Sequence, residues 1–231
     1  MGEKFDLRQI HEKPELATIT VSFFNKRVTF RPLMVNDTKL LTVFLTSLSA
    51  ETRSQWNPHG SDRRTAKKIC AAVATESGFR LIAVKEEPGN TGMKFWKKKK
   101  KLLIGYFIFS KEIKEHDVTR YANYGIRLSQ TDWLIAPCMA DEYQGHGLGS
   151  LMLKHLISIA HHLNVRRILL SGSVFASNAL AIAFYRKFNF RIAGEYTVFP
   201  EPNKGESQTR LKYYDMILEL SDDSLGNTAE V

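Results

Sequence analysis

A glycine-rich hexapeptide, Gln144-Gly145-His146-Gly147-Leu148-Gly149, joins a predicted strand to a predicted amphipathic helix. Glycine lets backbone N–H groups approach an anion because no Cβ stands in the way. The first N–H groups of a helix have no acceptor within the helix, and the helix dipole is positive at the same end. The turn therefore predicts a binding site for phosphate groups.

Three kinds of glycine turn fit this pattern to different degrees. A nucleotide P-loop needs a lysine before its Ser or Thr, and none follows Gly149, where Ser150 stands. A dinucleotide-binding fingerprint needs its third glycine one residue later and an acidic residue about 20 positions further on. Arg166-Arg167 occupies that later region. A turn that only lets the helix pack closely needs no ligand, and the hexapeptide alone leaves that interpretation open.

A second motif lies downstream on another predicted helix, where Asn178-x-x-Ala181-x-x-x-Tyr185 is followed by Phe190. The hexapeptide itself supplies a Q-x-x-G-x-G pattern that begins at Gln144. Together the two motifs resemble the paired acetyl-CoA motifs of the GNAT superfamily of N-acetyltransferases. The resemblance favours a phosphate-bearing cofactor over the packing interpretation of the turn.

The resemblance covers residues 132–199, and Arg31-Pro32 before the first long helix fits the usual opening of the family. Asn189 stands where the family usually has glycine, and asparagine also tolerates the left-handed conformation that ends such a helix. Pro137 falls in a predicted central strand, although proline cannot donate to a sheet ladder. In the family this strand splays from the next one and opens a slot for the pantetheine arm. The resemblance therefore implies a break in strand pairing near Pro137.

The resemblance also implies a role for each motif residue. Backbone N–H groups of the turn would hold the pyrophosphate of acetyl-CoA, with a side-chain contact from Gln144. The main chain around Met139 would pair with the pantetheine arm, and the Met139 N–H would polarise the thioester carbonyl. Asn178 would contact the cofactor, cap its helix, or do both. The implied cofactor-binding residues are Met139, Gln144, Gly145, His146, Gly147, Leu148, Gly149, Asn178 and Tyr185.

Tyr185 is the implied proton donor to the leaving thiolate. The ordinary pKa of tyrosine is about 10 and that of a thiol about 8.5, so full proton transfer is modestly uphill. The phenol would therefore stabilise the developing charge as much as transfer its proton. The alternative, which stays open, is a core tyrosine on a helix that also buries Ile182 and Phe188.

The residue that removes a proton from the acceptor amine is less clearly marked. A lysine-like amine has an ordinary pKa of about 10.4 and must be neutral before it attacks. Asp132 is a candidate base, although it lies one residue from the position where some protein-acetylating members carry a strand glutamate. Glu142 and a water relay are the alternatives. Cys138 is interpreted as a packing residue, because the family usually transfers the acetyl group directly.

Three histidines share the helix after the glycine turn, but no Cys, Asp or Glu supports them at ligand spacing. They are His155, His161 and His162. A metal site needs several converging ligands of these types. The sequence therefore predicts no metal.

The chain of 231 residues has a formal net charge of +9, which suits a polyanionic partner such as a nucleic acid or a phosphate-bearing cofactor. Five lysines at 97–101 lie in a predicted loop, with no recognised nucleic-acid-binding module around them. No segment approaches the ~20 apolar residues that span a bilayer, and no secretory signal is recognised. The two cysteines form no CxxC pair, which fits a reducing compartment. These features predict a cytoplasmic protein that binds no membrane and argue against a nucleic-acid partner.

The apolar pattern predicts one mixed α/β domain at residues 18–220. The resemblance implies that its sheet is mixed, mostly antiparallel and twisted, with flanking helices. It has an exposed basic loop at 86–101 and a polar insertion with a short helix at 111–130. A flexible, irregular segment at 1–17 precedes the domain, and a disordered acidic tail at 221–231 follows it. The predicted strands are 18–24, 28–31, 79–85, 102–109, 132–140, 166–173, 192–199 and 213–220. The predicted helices begin after Asp37 and Asp62 and span 149–163 and 178–188.

The leading hypothesis is an N-acetyltransferase that moves the acetyl group of acetyl-CoA directly to a primary amine. The acceptor is a small molecule, a peptide or a protein, and the enzyme is a monomer or a homodimer. A non-catalytic acetyl-CoA sensor or scaffold is the first alternative, although the presence of Tyr185 argues against it. A basic nucleic-acid-binding protein is the second.

Overall fold

The computed structural model describes residues 4–75, 77–87, 100–198 and 210–220. Most of the predicted basic loop and the whole predicted acidic tail therefore lie outside the described residues. The helices are α1 Leu7–Glu12, α2 Thr38–Ser47, α3 Ala50–Gln55, α4 Arg63–Ala72, α5 Glu115–Asn123, α6 Leu148–His162 and α7 Ala179–Lys187. The strands are β1 Ile19–Phe23, β2 Lys26–Pro32, β3 Gly78–Glu87, β4 Lys100–Ser110, β5 Asp132–Met139, β6 Arg167–Phe175, β7 Arg191–Val198 and β8 Leu211–Glu219.

These elements belong to two compact units, which are described separately. Unit 1 comprises Met1–Phe109 and Ala136–Leu163, and unit 2 comprises Ser110–Ile135 and Asn164–Val231. The boundary falls within β5. Four of the five strand pairs whose register is known are antiparallel. The predicted fold class, a mixed α/β protein with a largely antiparallel sheet and flanking helices, is confirmed.

The strands of unit 1 follow the order β1-β2-β3-β4. The sequence predicts a hairpin with Asn25-Lys26 between its strands; β1 and β2 form this hairpin, but its turn lies at Phe24-Asn25, one residue earlier. Both turn residues are left-handed, with φ of 47° and 57°. A two-residue hairpin of this kind needs positive φ at both central positions. Lys26 therefore starts β2 and pairs with Phe23.

Two expectations for the helices of unit 1 need correction. Residues 1–17 were expected to be irregular, yet α1 forms because Asp6 and Gln9 make a reciprocal capping box and Ile10 is fully buried. Asp37 precedes α2, but its carboxylate does not cap the helix. It accepts instead from the Arg31 guanidinium at 2.6 and 2.8 Å and from the Met34 N–H at 2.8 Å.

The strands of unit 2 follow the order β5-β6-β8-β7. In the sequence, Met216 and Leu218 alternate with Asp215, Ile217 and Glu219, which predicts a half-buried antiparallel strand, but Asp215, Met216, Ile217 and Leu218 are all buried. The expectation is wrong because both faces of this part of β8 are covered, one of them by α5, whose Tyr121 packs on Ile217. The predicted short helix of the polar insertion is α5, and it buries Tyr121 in the core of this unit.

The parallel pairing of β5 with β6 runs from Asp132↔Arg167 to Leu134↔Leu169. It therefore ends before Pro137, which agrees with the expected break in this ladder. The cofactor slot that the family resemblance implies stays a prediction. Among the described residues, no helix has both the length and the apolar character that crossing a membrane requires.

Candidate functional site

The predicted phosphate turn has an unusual backbone that only glycine adopts easily. Gly145 has a φ of 73° and Gly147, directly before α6, has a φ of 87°. An added Cβ at either position would meet no atom within 4 Å. Glycine is thus required by the left-handed conformation rather than by crowding. No atom of the described residues occupies the space that a Cβ at either position would face.

The N–H groups of this turn differ in whether they have an acceptor. Ser150 and Leu151 both donate to the Gly147 carbonyl, at 3.0 and 3.2 Å. The N–H groups of Gly147, Leu148 and Gly149 make no hydrogen bond to any described residue. Three donors therefore accompany the positive end of the α6 dipole, which is the arrangement that binds phosphate oxygens.

Gln144 has a different immediate contact from the one implied by the sequence. Its Nε2 donates to the Met139 carbonyl at 3.2 Å and to the Thr52 Oγ1 at 3.1 Å. The side chain thus ties the turn to the end of β5 and to α3. The expected contact between Gln144 and a pyrophosphate stays a prediction.

A hydrogen-bond network that the sequence did not reveal joins α3 to the start of the turn. The Asp141 carboxylate accepts from the Ser49 N–H at 2.9 Å, the Ser49 Oγ at 2.7 Å and the Thr52 Oγ1. Burial favours the neutral acid, but the hydrogen bonds from Thr52 and Ser49 outweigh it and lower the pKa of Asp141. Ser49 and Thr52 are recognisable as a helix start. Nothing in the sequence shows that this start faces Asp141.

The orientation of the Met139 backbone follows from the hydrogen bond of its neighbour Ala140. The next N–H, of Ala140, donates to the Ile104 carbonyl of β4 at 3.0 Å. Because neighbouring N–H groups of a strand point to opposite edges, the Met139 N–H points away from β4. Gly105 leaves room for this strand end, since a Cβ there would lie 3.0 Å from the Met139 Sδ and 2.5 Å from the Met152 Sδ.

In unit 2, the second motif builds α7 largely as expected. Asn178 is the cap, and its Oδ1 accepts from the Ala181 N–H at 2.9 Å. Asn189 ends the helix with a left-handed φ of 64°, which confirms that asparagine takes the usual place of glycine. The following Phe190 N–H donates back to the Tyr185 carbonyl at 3.1 Å.

Tyr185 is held firmly within this unit. Its side chain is buried, with 8% of its surface exposed. Its ring centroid lies 5.2 Å from that of Phe184 and 5.6 Å from that of Phe190. These contacts fix the ring, as either a catalytic or a structural role requires.

The structure argues against Asp132 as the general base. Its carboxylate is fully buried and accepts from the Arg167 guanidinium, at 2.7 Å from Nε to Oδ1 and at 2.5 Å from Nη2 to Oδ2. The Ser129 N–H and Oγ also donate to Oδ2. A base must reach the proton that it removes, and this carboxylate is enclosed and paired. Glu142, in contrast, is exposed.

Cys138 packs in the core as expected. It is 5% exposed, and burial raises the pKa of its thiol to about 12. The thiolate is the nucleophilic form of cysteine, so this group is unreactive near neutral pH.

The helix histidines are engaged in packing. His155 Nε2 donates to the Ala17 carbonyl at 3.1 Å, and His162 stacks on Phe5 with ring centroids 4.9 Å apart. Within the described ranges, no three His, Cys, Asp or Glu side chains form a group that could hold a metal ion. The helix pattern favours solvent-exposed histidines over metal ligands, whereas His155 is half-buried against Ala17.

The predicted site residues thus divide between the two units. Unit 1 brings together Met139, Gln144 and the turn residues Gly145, His146, Gly147, Leu148 and Gly149. Unit 2 contains Asn178, Tyr185 and Asp132. Seven of the nine implied cofactor-binding residues therefore lie in unit 1, and Asn178 and Tyr185 lie in unit 2.

Comparison with known proteins gives one family. Spermine/spermidine N(1)-acetyltransferase of Bacillus subtilis (strain 168) is 36% identical over 89 residues, which are 35% of this chain and 57% of that protein. The probable spermine N(1)-acetyltransferase of Bacillus subtilis subsp. natto gives the same identity and shares. The chain thus matches a little over half the length of these curated relatives.

Solved structures share the fold. The ribosomal-protein-S5-alanine acetyltransferase of Vibrio fischeri has a TM-score of 0.59 at 13% identity, covering 88% of this chain and 98% of that one. The yncA protein of Salmonella typhimurium, a putative acetyltransferase solved with acetyl-CoA, has a TM-score of 0.55 at 18% identity, covering 84% and 95%.

A family model described as the acetyltransferase (GNAT) family matches residues 50–190. The match includes α3, the glycine turn and the Asn178 motif, and it extends over more than half of the chain. The chain therefore belongs to the GNAT family of acetyltransferases.

Proposed function

We propose that this protein transfers the acetyl group of acetyl-CoA to a primary amine of a small molecule, a peptide or a protein. The observation that carries the proposal is the open turn before α6, where Gly147, Leu148 and Gly149 offer N–H groups without an acceptor among the described residues. Family membership supports the same donor.

Acetyl-CoA fits the residues of this turn. Its pyrophosphate offers oxygen acceptors to the three N–H donors, and two left-handed glycines leave space for it. Gln144 and Asp141 hold the turn to α3 and β5. The Met139 N–H, which points away from β4, is the donor that we propose for the thioester carbonyl.

The reaction is a direct transfer. The neutral amine attacks the thioester carbon, the new C–N bond forms, the C–S bond breaks, and the thiolate is protonated. We propose Tyr185 as the group that stabilises this thiolate and supplies the proton, on the basis of its motif position. The proton of the amine leaves through water or to Glu142, because Asp132 is enclosed by Arg167 and Ser129.

The acceptor is proposed only as a class. The curated relatives are named for spermine and spermidine, which are polycations. A net charge of +9 disfavours the encounter with a polycation and favours an anionic partner. We therefore expect an amine on a neutral or acidic molecule to be a better acceptor than a polyamine.

We also propose that the protein works in the cytoplasm. Cys70 and Cys138 are both free, buried thiols, as a reducing compartment would keep them. Fractionation of cells that contain the tagged protein tests this, and recovery outside the cytoplasmic fraction would contradict it.

The proposed function is tested by thermal shift with acetyl-CoA and free CoA, followed by a thiol-release assay. The acceptor panel contains spermidine, peptides with an N-terminal alanine, and acidic peptides with one lysine. We expect stabilisation by both CoA compounds and amine-dependent thiol release. No shift at saturating acetyl-CoA would overturn the proposal. A shift without turnover on any amine would favour the sensor or scaffold.

A further inference from the structure

The tip of the β1–β2 hairpin carries an exposed aromatic residue in a strained conformation. Phe24 is left-handed, with a φ of 47°, and 69% of its surface is exposed. The first position of such a turn normally holds glycine, asparagine or aspartate, and a bulky residue at positive φ is an outlier. The next residue, Asn25, is an ordinary choice for its position. The unusual side chain is therefore Phe24 alone.

Packing within the protein gives little reason for Phe24. The ring contacts Phe23 at a centroid distance of 4.5 Å, but most of its surface faces solvent. An exposed apolar ring gains little from burial, and the backbone strain opposes it. Strained residues of this kind occur most often at binding sites.

Phe24 lies beside the donor-binding turn of the same unit. Its ring meets the ring of His146 edge-on, with centroids 5.9 Å apart and planes at 79°. His146 stands between Gly145 and Gly147. Its Nδ1–H donates to the Gln144 carbonyl at 2.6 Å, which fixes the orientation of the imidazole. Two exposed rings thus border the place where the N–H donors of the turn are open.

We propose that the Phe24 ring is a stacking platform for the adenine ring of the acetyl donor, and that the His146 ring, at 79° to it, borders the base edge-on. The inference rests on the proposed function, because it needs a donor pyrophosphate on the turn. In acetyl-CoA the adenosine is joined directly to that pyrophosphate, so its base must lie near the turn. A purine presents flat faces that stack on aromatic side chains, and such stacking contributes about 1–3 kcal/mol for nucleic-acid bases. Stacking would also cover the exposed face of Phe24.

The test uses two substitutions of Phe24 and two donors. Phe24→Asn removes the ring and places a residue that this turn prefers, so the melting temperature should stay the same or rise. Its acetyl-CoA affinity, measured by calorimetry, should fall roughly tenfold, the effect of losing one stacked base. Phe24→Trp keeps an aromatic face and should stay within about twofold of the original chain.

The second donor is S-acetyl-4′-phosphopantetheine, which lacks the adenosine part. Its affinity should be the same for the original chain and for Phe24→Asn, because the platform then has no purine to hold. Equal losses for both donors, or an unchanged acetyl-CoA affinity in Phe24→Asn, would overturn the inference. Failure of the original chain to bind acetyl-CoA would instead overturn the proposed function on which the inference rests.

Discussion

The proposed donor-binding turn of unit 1 and a polar cluster in unit 2 share one local feature. Each contains a left-handed glycine: Gly147, with a φ of 87°, and Gly172, with a φ of 60°. At Gly172 the protein supplies its own anion, because the N–H donates to the Asp215 carboxylate at 2.6 Å. At Gly147 the described part of the chain supplies none.

The surroundings of the two glycines also differ, because Gly172 is crowded by side chains and Gly147 is not. Asp215 is fully buried and also accepts from the Arg120 Nε at 2.6 Å and the Tyr124 hydroxyl at 3.0 Å. A Cβ at Gly172 would lie 2.4 Å from the Tyr196 hydroxyl, whereas a Cβ at Gly147 would meet nothing within 4 Å. We call Arg120, Tyr124, Gly172 and Asp215 the Asp215 cluster.

The difference between the two glycines indicates that the Asp215 cluster contributes to stability and that the turn contributes to binding. Buried polar groups that are satisfied internally hold a fold together, and breaking one leaves a costly uncompensated charge. Open donors at a glycine turn contribute little until a ligand accepts from them. We therefore expect changes in the Asp215 cluster to alter stability, and changes in the turn to alter acetyl-CoA binding.

The largest effect is expected in the Asp215 cluster. Asp215→Ala leaves Arg120 with Asp117 as its remaining carboxylate partner and removes the acceptor of the Gly172 N–H and the Tyr124 hydroxyl, so it should lower the free energy of unfolding by about 3–5 kcal/mol. Urea denaturation measures this change. Glu219→Ala, which removes an exposed carboxylate from the same strand, should cost about 1 kcal/mol or less. Similar losses in both variants would show that the cluster is not a special source of stability.

The next effect belongs to the turn. Gly147→Val should weaken acetyl-CoA binding more than about a hundredfold, because it forces the backbone away from φ of 87° and displaces the N–H donors. Gly125→Val is the matched control, since Gly125 has a φ of 76° and equally open space but lies in unit 2. Calorimetry on both variants decides the point. Equal affinities would mean that the turn does not bind the donor.

Tyr185→Phe separates chemistry from both binding and stability. We expect kcat to fall about 10- to 100-fold with the KM for acetyl-CoA nearly unchanged, because the hydroxyl acts only on the leaving thiolate. Tyr124→Phe is the control, since its lost hydroxyl serves Asp215 and should lower stability rather than kcat. Steady-state kinetics and urea melts test both. Equal losses of kcat and acetyl-CoA affinity in Tyr185→Phe would make Tyr185 structural.

A smaller effect is expected where α3 holds the turn. Thr52→Val keeps the shape but removes the hydroxyl that links Asp141 to Gln144. Acetyl-CoA affinity should fall about three- to tenfold, the size of one or two net hydrogen bonds. Thr46→Val is the control, because it removes an exposed hydroxyl of α2 that donates only within that helix. Unchanged affinity in Thr52→Val would leave the network without a role in positioning the turn.

The smallest effect expected is the loss of stability at acidic pH that His155 causes. Burial lowers the pKa of His155 below its ordinary value of 6.5. The neutral form is favoured on folding, so the stability from this residue is present above pH 6.5 and is lost as pH falls through the lowered pKa. His155→Gln keeps a donor for the Ala17 carbonyl without a titrating ring. Its free energy of unfolding should therefore fall less between pH 7 and pH 5 than that of the original chain. An identical fall would rule out His155 as a contributor.

How much the sequence predicts depends on how local each feature is. The glycine turn, the Asn178 cap and the left-handed Asn189 follow from residue type and neighbours, and the structure contains all three. The burial of both faces of β8 does not follow, because it depends on elements that are distant in sequence, such as α5 with its Tyr121 on Ile217. Asp132 was a candidate base because of its position in the chain. The sequence does not show that Arg167, 35 residues away, pairs with its carboxylate.

The contacts of Phe24 and Gln144 show the same limit. The hairpin is visible in the sequence, yet nothing there indicates that its tip meets His146. Gln144 was expected to face the cofactor phosphates, whereas its amide contacts Met139 and Thr52. Side-chain partners that are distant in the chain become known only once the fold brings them together.

The most direct measurement follows the backbone N–H groups of Gly147, Leu148 and Gly149 by nuclear magnetic resonance during titration with acetyl-CoA. If the turn binds the pyrophosphate, these amide signals should move strongly and gain protection from hydrogen exchange. The signal of the Gly172 amide, which already donates to Asp215, should not move. Binding of acetyl-CoA that leaves the three turn amide signals unchanged would contradict the proposal that the turn holds the donor.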